Sequence, residues 1–450
     1  MATIEQQPLE KFQQALIAYD QGSAEETRLL LESLRPADIA NLLSANPPKW
    51  RKVLWELLEE EPRNQTLQYL GEDVLSEFLE TMDTAELVAV ADNLDTDDFA
   101  DILQQLPQTI TDQVLAALDA KDRARVEAVL SYDEESAGGL MNTDSITVRP
   151  RHLLELVFRY LRMRKDLPET TDALIVVNSR DEYVGMLPLS KLLTSDPTVT
   201  VREVMDTSAT AINVHMRDTE VAKIFSEQDL VSAAVVDDDG QLLGRITIDD
   251  VVDVIIEDAD EAVLAKAGLD ADEDTFAPIG KSLRRRSVWL GINLITAFIA
   301  AAVINLFEDT IVKVVALAVL MPIVASMGGI AGTQTLTLVI RGEAMGHLGR
   351  NNLIWLLNRE FAVAALNGLL WASLVALAAG FAFQDANLGW IIAVAMILTI
   401  LVGAVAGSLL PSTLKRLGID PAIAGGVILT TVTDVAGFFV FLGLATLVYA

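Results

Sequence analysis

The chain has 450 residues, 51% of them hydrophobic, no cysteine and a formal net charge of −31 at pH 7. A length of this order holds about three domains, and the absence of cysteine excludes disulfides, thiolate metal sites and Cys nucleophiles. So acidic a chain repels nucleic acid and anionic headgroups, and it makes divalent cations natural partners.

The charge is unevenly placed. From Lys281 onward there are ten Lys/Arg and seven Asp/Glu, a net of +3, whereas the preceding part carries 23 basic and 57 acidic residues, a net of −34. The N-terminal stretch from Met1 to Glu10 has no basic region followed by an apolar one, so no secretory signal is expected and the first part should stay in the cytoplasm.

Up to about Leu130, apolar residues recur at helical spacing. Helix starts punctuate them at Arg35-Pro36-Ala37-Asp38, Asp83-Thr84-Ala85-Glu86, Asp95-Thr96-Asp97-Asp98 and Pro107-Gln108-Thr109. This predicts stacked short helices in a superhelical array. Asp97 and Asp101, four apart, share a helix face, and spacing alone favours a solvated acidic face there.

From about Met141 to Asp260 the pattern becomes βαβ-like and occurs twice. The first copy has Ser145–Val148, a helix from Leu153 to Arg164, Ala173–Val177 and Gly185-Met186-Leu187. The second has Ala211–Val214, a helix from Asp218 to Phe225, Ala233–Val236, Gly244–Ile248 and a helix from about Asp250. An acidic connector, expected to be helical, follows between Glu257 and Asp274, with Asp258, Asp260, Glu261, Asp270, Asp272 and Glu273. Gly280-Lys281-Ser282 is not a P-loop: Thr275 stands where the first glycine is needed, and no apolar strand precedes it.

Five apolar segments complete the chain: Val288–Phe307, Ile311–Ile340, Phe361–Phe383, Leu388–Leu410 and Ala422–Leu447. Each is long enough to span a bilayer. With the N-terminus inside, the cytoplasmic flanks carry Lys281, Arg284, Arg285, Arg286, Arg341, Arg350, Arg359, Lys415 and Arg416, against Lys313 alone on the other side. That bias predicts an inside N-terminus and an outside C-terminus. The small and polar run Gly328–Gln334 in the second segment fits either a water-filled cavity or close helix packing.

Asp434, within Thr430-Thr431-Val432-Thr433-Asp434-Val435-Ala436-Gly437, falls near the middle of the last apolar run. A central Asp costs about 2.5 to 3.5 kcal/mol to insert, so it is read as part of an ion pathway, supported by the three threonines on the same helix. A structural Asp, protonated or bonded to a neighbouring helix, is the other reading. None of the three histidines, His152, His215 and His347, falls in the core of a span, which disfavours a soft-metal transporter.

The two βαβ-like copies resemble a tandem pair of CBS domains, regulatory modules that commonly bind adenine nucleotides. In such modules a Ser/Thr-x-x-Asp after the last strand often holds the ribose. The second copy has Thr247-Ile248-Asp249-Asp250, whereas the first reads Pro188-Leu189-Ser190-Lys191, so a nucleotide such as ATP is expected to bind weakly or to one copy alone. The order of domains, Glu135-Ser136-Ala137-Gly138 through Met141, Met321-Pro322, Gly418-Ile419-Asp420-Pro421-Ala422 and the terminal Thr-x-Thr-Asp-Val-x-Gly together resemble the MgtE family of magnesium channels. Some relatives have Asn where this chain has Ile330 and Thr333, so the pore lining is expected to differ in detail.

The resemblance implies a multidomain membrane protein: an all-α superhelical N-domain (1–130), an α/β CBS pair (131–200 and 201–256), an acidic connector or plug helix (257–280) and a five-helix transmembrane domain (281–450). It implies a non-enzymatic Mg²⁺ channel or transporter in the cell (inner) membrane, a homodimer with Asp434 on the ion path, and regulation by Mg²⁺ at Asp97, Asp101, Asp229, Asp250, Asp253 and Glu261. Other readings are a transporter of another divalent cation such as Co²⁺ or Mn²⁺, coupled to protons through Asp434, and a membrane-tethered nucleotide or metal sensor. A mere tether has no use for a midplane acid.

Overall fold

The computed structural model describes residues 24–449, other than 92, 165–166, 169, 266, 270–273, 345–347 and 349–351. The expected connector acids Asp270, Asp272 and Glu273, together with His347 and Arg350, therefore lie outside the described residues. The chain divides into two compact units: residues up to Asp260 with Asp272–Pro278, and Glu261–Ala271 with Ile279–Ala450.

The first unit opens with nine short helices among the described residues: α1 (Ala24–Glu32), α2 (Pro36–Ser44), α3 (Pro48–Leu57), α4 (Glu60–Thr66), α5 (Glu72–Leu79), α6 (Thr84–Ala91), α7 (Thr96–Gln104), α8 (Gln108–Ala117) and α9 (Ala120–Leu130). The breaks have local causes. Asp83 accepts from the amides of Ala85 and Glu86 while Glu86 accepts from the amide of Asp83, closing a capping box. Asp119 likewise caps α9. No helix here is long enough to be stable alone, so stability comes from the shared core, with Leu43, Leu54, Leu67, Leu87, Val90 and Val114 at or near zero exposure.

Two three-stranded sheets follow. In the first, β1 (Thr147–Val148) runs parallel to β2 (Ala173–Val177), which pairs antiparallel with β3 (Tyr183–Pro188); α10 (Leu154–Met163) lies between β1 and β2 in sequence, and α11 (Leu189–Thr194) and α12 (Val201–Val204) follow. The second repeats it with β4 (Ile212–Asn213), α13 (Asp218–Gln228), β5 (Ser232–Val236), β6 (Leu242–Thr247) and α14 (Ile248–Ala265). The sheets are tied to each other by the Tyr183 amide on the Gly240 carbonyl, the Leu242 amide on the Asp181 carbonyl, and Ser232 Oγ on Asp172 Oδ1.

Two expected boundaries move. The segment Ser136–Asn142, assigned by sequence to the first CBS unit, pairs instead with the second: the Ala137 and Gly138 amides donate to the Met216 and Val214 carbonyls, and Asn142 and Arg245 exchange backbone bonds. A Cβ on Gly244 would lie 2.7 Å from the Asn142 carbonyl oxygen, so a glycine is what admits this close approach. The connector does not begin a new helix at 257, because α14 runs unbroken from Ile248 and ends at Ala265, short of Asp274.

Among the described residues of the second unit, five helices are long and apolar enough to cross a membrane: α15 (Ile279–Asn305), α17 (Ala316–Ala344), α18 (Leu353–Phe383), α19 (Ala386–Arg416) and α20 (Pro421–Tyr449), with the short α16 (Glu308–Lys313) between the first two. Ile311 therefore belongs to α16, and the second apolar helix starts at Ala316. The central helix is α19, which packs against α17, α18 and α20. Glycines allow the closest approach: a Cβ on Gly403 would lie 2.6 Å from the Gly328 carbonyl oxygen, and one on Gly407 would lie 2.5 Å from that of Gly332. Lys415 Nζ lies 2.9 Å from Glu343 Oε2, bringing the C-terminal ends of α17 and α19 together. At the opposite end, Tyr449 donates to Asp385 and Thr310 bonds Thr446 at 2.8 Å.

Candidate functional site

The first unit concentrates acids where two helices begin. Asp97 and Asp98 lie in the first turn of α7 with Asp101 one turn later; Asp249 and Asp250 lie in the first turn of α14 with Asp253 one turn later. Helix N-termini are the favourable place for carboxylates, since unpaired amides and the macrodipole both stabilise negative charge. The helices meet because Ala100 and Val129 of the N-domain join a single buried core with Phe225, Val235, Ile246 and Val251 of the second CBS unit.

Packing two acidic helix ends together has an electrostatic consequence. Asp97 is 5% exposed. Its carboxyl is held well above the ordinary carboxylate range by burial and by the charge of Asp250, then those of Asp98 and Asp95, and its Oδ1 has no hydrogen-bond partner among the described residues. Asp98 is pushed to about 7 by burial and by Asp250 and Asp95. Asp101 is pushed to about 8 by burial and by Glu134, Asp98 and Glu257. Asp250 rises to about 6 through burial, against the opposing pull of its bond from the Thr247 amide. Burial and Asp249 also raise Asp253.

Among the described residues these carboxyls are raised by burial and by one another, with no cation among the principal causes. Among the described residues no three His, Asp or Glu side chains converge as direct ligands of one ion. Clustered negative charge of this kind attracts cations, and Mg²⁺ in proteins usually keeps several of its waters.

The other expected regulatory and nucleotide residues fall as follows. Asp229 is exposed at the left-handed C-cap of α13 and is not among the principal charges acting on Asp97, Asp98 or Asp101. Glu261 is exposed near the end of α14, in the second unit. Thr247 and Asp250 bond each other, with Thr247 Oγ1 donating to Asp250 Oδ2 at 2.9 Å, so the acid expected to hold a ribose belongs to the acidic cluster. Sequence reading missed Asp95, Asp98, Asp249, Glu134 and Glu257. The tandem Asp97-Asp98 and Asp249-Asp250 at helix starts were the available signal.

The second unit carries a separate site. Asp434, near the middle of α20, is half-buried and makes no hydrogen bond or ion pair among the described residues. It faces an open groove of about 410 Å³ lined also by Ala325, Ser326, Gly329, Ile330, Thr333 and Gln334 of α17 and by Thr430. The run Gly328–Gln334 serves both readings at once. Gly328 and Gly332 pack on α19, whereas Gly329, Ile330, Thr333 and Gln334 line the groove. Of the three threonines, Thr430 alone lines it; all three donate to their own helix backbone, and Thr433 is fully buried.

Sequence reading also missed a buried acid at the edge of the third apolar segment. Glu360, on α18 and 5% exposed, accepts from Thr335 Oγ1 of α17 at 3.2 Å and pairs with Arg359 at 2.5 Å. Both residues line a cavity of about 400 Å³ between α17, α18 and α19 that shares Ile330 and Gln334 with the Asp434 groove.

Three family models match this chain: MgtE, described as a divalent cation transporter, over residues 321–444; the MgtE intracellular N domain over 34–135; and the CBS domain over 201–257. The magnesium transporter MgtE of Bacillus subtilis is 28% identical over 433 residues, and that of Thermus thermophilus 29% over 437, each alignment covering 96% of both chains. A crystal structure of the cytosolic domain of the Mg²⁺ channel MgtE in complex with ATP is 31% identical, covering 53% of this chain and 98% of that one, with a TM-score of 0.49. The matched description places the chain in the class of divalent cation transporters. It belongs to the MgtE family.

Proposed function

We propose that the protein is a Mg²⁺ channel or transporter that takes the ion up down its electrochemical gradient and closes when cytoplasmic Mg²⁺ is high. The observation that carries the transport reading is Asp434, a carboxylate without a partner among the described residues in the middle of a helix long enough to span, facing a groove lined also by Thr333, Gln334 and Thr430. Insertion of such an acid is costly, and a cation removes the cost. One or two carboxylates holding an ion that keeps most of its water suit Mg²⁺. In this reading a second copy of the chain contributes its own Asp434 across a two-fold axis. No fuel is required, since a divalent ion gains about 4.6 kcal/mol per 100 mV of inside-negative potential.

The gate is assigned to the acidic cluster. Mg²⁺ held between α7 and α14 binds the assembled arrangement better than a separated one, and only such differential affinity moves an equilibrium. The orphaned Asp97 Oδ1 and the raised carboxyls around it support this reading. Asp229 and Glu261 are retained as further regulatory positions, the basic flanks as cytoplasmic, and ATP as a ligand of at most one CBS copy. Flux of Mg²⁺ into liposomes containing the Asp434→Asn protein tests the assignment: folded protein without uptake is expected, and wild-type flux would refute it.

A further inference from the structure

We propose that the N-domain contains a carboxylate-binding site centred on Arg51, that its occupant is Asp274 of the segment leading into the first span, and that this contact belongs to the closed arrangement. The regulatory part of the inference rests on the gating reading above; the site itself does not.

Arg51, on α3, is 1% exposed, among the most buried large side chains in the protein. Nε donates to the Leu43 carbonyl at 3.0 Å and Nη2 to the Ser44 carbonyl at 3.4 Å, so the guanidinium sits on the C-terminal turn of α2, where the macrodipole favours a cation. Glu77, on α5, lies 3.3 Å from Nη1. The remaining donors form a fork. Nη1 lies 2.8 Å from Asp274 Oδ2, and Nη2 lies 2.8 Å from Asp274 Oδ1, the bidentate geometry that makes Arg–carboxylate pairs both strong and specific.

The rest of the cradle recognises backbone. The Asp274 amide donates to Asp73 Oδ2 at 3.3 Å, one turn before Glu77 on α5, and Asp274 Oδ1 accepts from the Phe276 amide at 2.9 Å, folding the segment into a tight turn. The Asp274 side chain is left 6% exposed. Asp258, Asp260 and Glu261 are exposed, whereas Asp274 meets the buried Arg51.

The position of Asp274 gives the contact its consequence. Helix α15 begins at Ile279, five residues later, and five residues span at most about 17 Å when fully extended. An N-domain movement longer than that slack must break the Arg51–Asp274 fork or pull on the start of the first span. The same assembled first unit brings Asp97 to Asp250, so the fork coexists with the arrangement assigned to the closed state. If it is lost on opening, it adds to the closed state's stability.

The test uses the full-length protein in lipid, comparing wild type with Asp274→Ala and Asp274→Asn by hydrogen exchange of Phe276 and Ala277 and by the internal Mg²⁺ that halves the flux. Asp274→Ala is expected to speed exchange at both amides at least tenfold, leave the Leu43 and Leu54 amides unchanged, and raise the half-closing Mg²⁺ at least threefold. Asp274→Asn, which keeps the turn but not the charged fork, should give a smaller shift in the same direction. Unchanged exchange in Asp274→Ala overturns the site, and faster exchange with an unmoved Mg²⁺ midpoint overturns its coupling to closure. Wild-type flux indifferent to Mg²⁺ would remove the gating reading instead, while the exchange result still decides the site.

Discussion

Asp97 at the start of one helix and Asp250 at the start of another are close enough for the charge of Asp250 to hold the buried Asp97 carboxyl well above its ordinary range. They lie 153 positions apart in sequence, and the shared core around Ala100 and Val251 sets them together. Like charges forced together by packing are unstable unless protons or cations intervene. The choice between proton and Mg²⁺ is the physical basis of the proposed switch.

Neutralising Asp97, Asp250 and Asp253 to Asn should therefore uncouple assembly from Mg²⁺. In the wild type, millimolar Mg²⁺ is expected to slow hydrogen exchange in α7 and α14; in the triple variant it should not, and the channel should conduct at high internal Mg²⁺. Sodium chloride at matched ionic strength is the control, because general screening depends on ionic strength and not on ion identity. Protection by NaCl equal to that by Mg²⁺ would remove the site.

The raised carboxyls also predict a pH dependence. Asp250, Asp98 and Asp101, near 6, 7 and 8, bind protons more tightly in the assembled form than exposed carboxylates do. Without Mg²⁺, assembly is favoured by protons at low pH and loses that stabilisation as pH rises to about 8. Protons and Mg²⁺ compete for the same oxygens, so the Mg²⁺ needed to protect α14 should fall as pH rises from about 6 to about 8. A flat dependence across this range would contradict the assignment.

For nucleotide, the expectation is one-sided binding. Calorimetry of the full chain with ATP and ADP should show at most one site per chain. Asp250 bonds Thr247 within the acidic cluster, so Mg²⁺ and nucleotide should also influence one another's affinity. Two tight sites, one of them lost on altering Lys191, would refute this.

In the membrane unit, Glu360→Ala removes the Thr335 bond and leaves Arg359 without its partner, at an expected cost of about 1 to 3 kcal/mol. Glu360→Gln keeps an acceptor for Thr335 and should cost less. Thermal unfolding in detergent, read beside Gly407→Ala, which must push α19 off α17, checks the order of these effects.

Much of this organisation was legible in the sequence for local reasons. The helix start at Thr84 follows from the Asp83–Glu86 capping box and the one at Pro36 from a proline in its first turn, the spans follow from length and apolarity, and Asp434 is conspicuous because it stands alone in its run. Glu360 was not, since Arg359 beside it cancels its charge and the pair sits at the edge of an apolar segment. Nothing local announces that Arg51 will meet Asp274, 223 residues away. Nor does spacing reveal that Ser136–Asn142 bonds to the second CBS unit, an approach that at Asn142 depends on the room left by Gly244. The burial of Asp97 and the partial burial of Asp101 escaped for the same reason: four-residue spacing defines a face, and only packing decides whether that face meets water or another helix.

Mg²⁺ flux into liposomes containing the purified protein, followed as Mg²⁺ on its cytoplasmic side is raised into the millimolar range, decides whether a Mg²⁺ pathway through Asp434 is closed by Mg²⁺ at the cytoplasmic cluster. Flux at low Mg²⁺ should fall to background as the concentration rises. Flux that ignores cytoplasmic Mg²⁺ over that range would rule out closure by Mg²⁺.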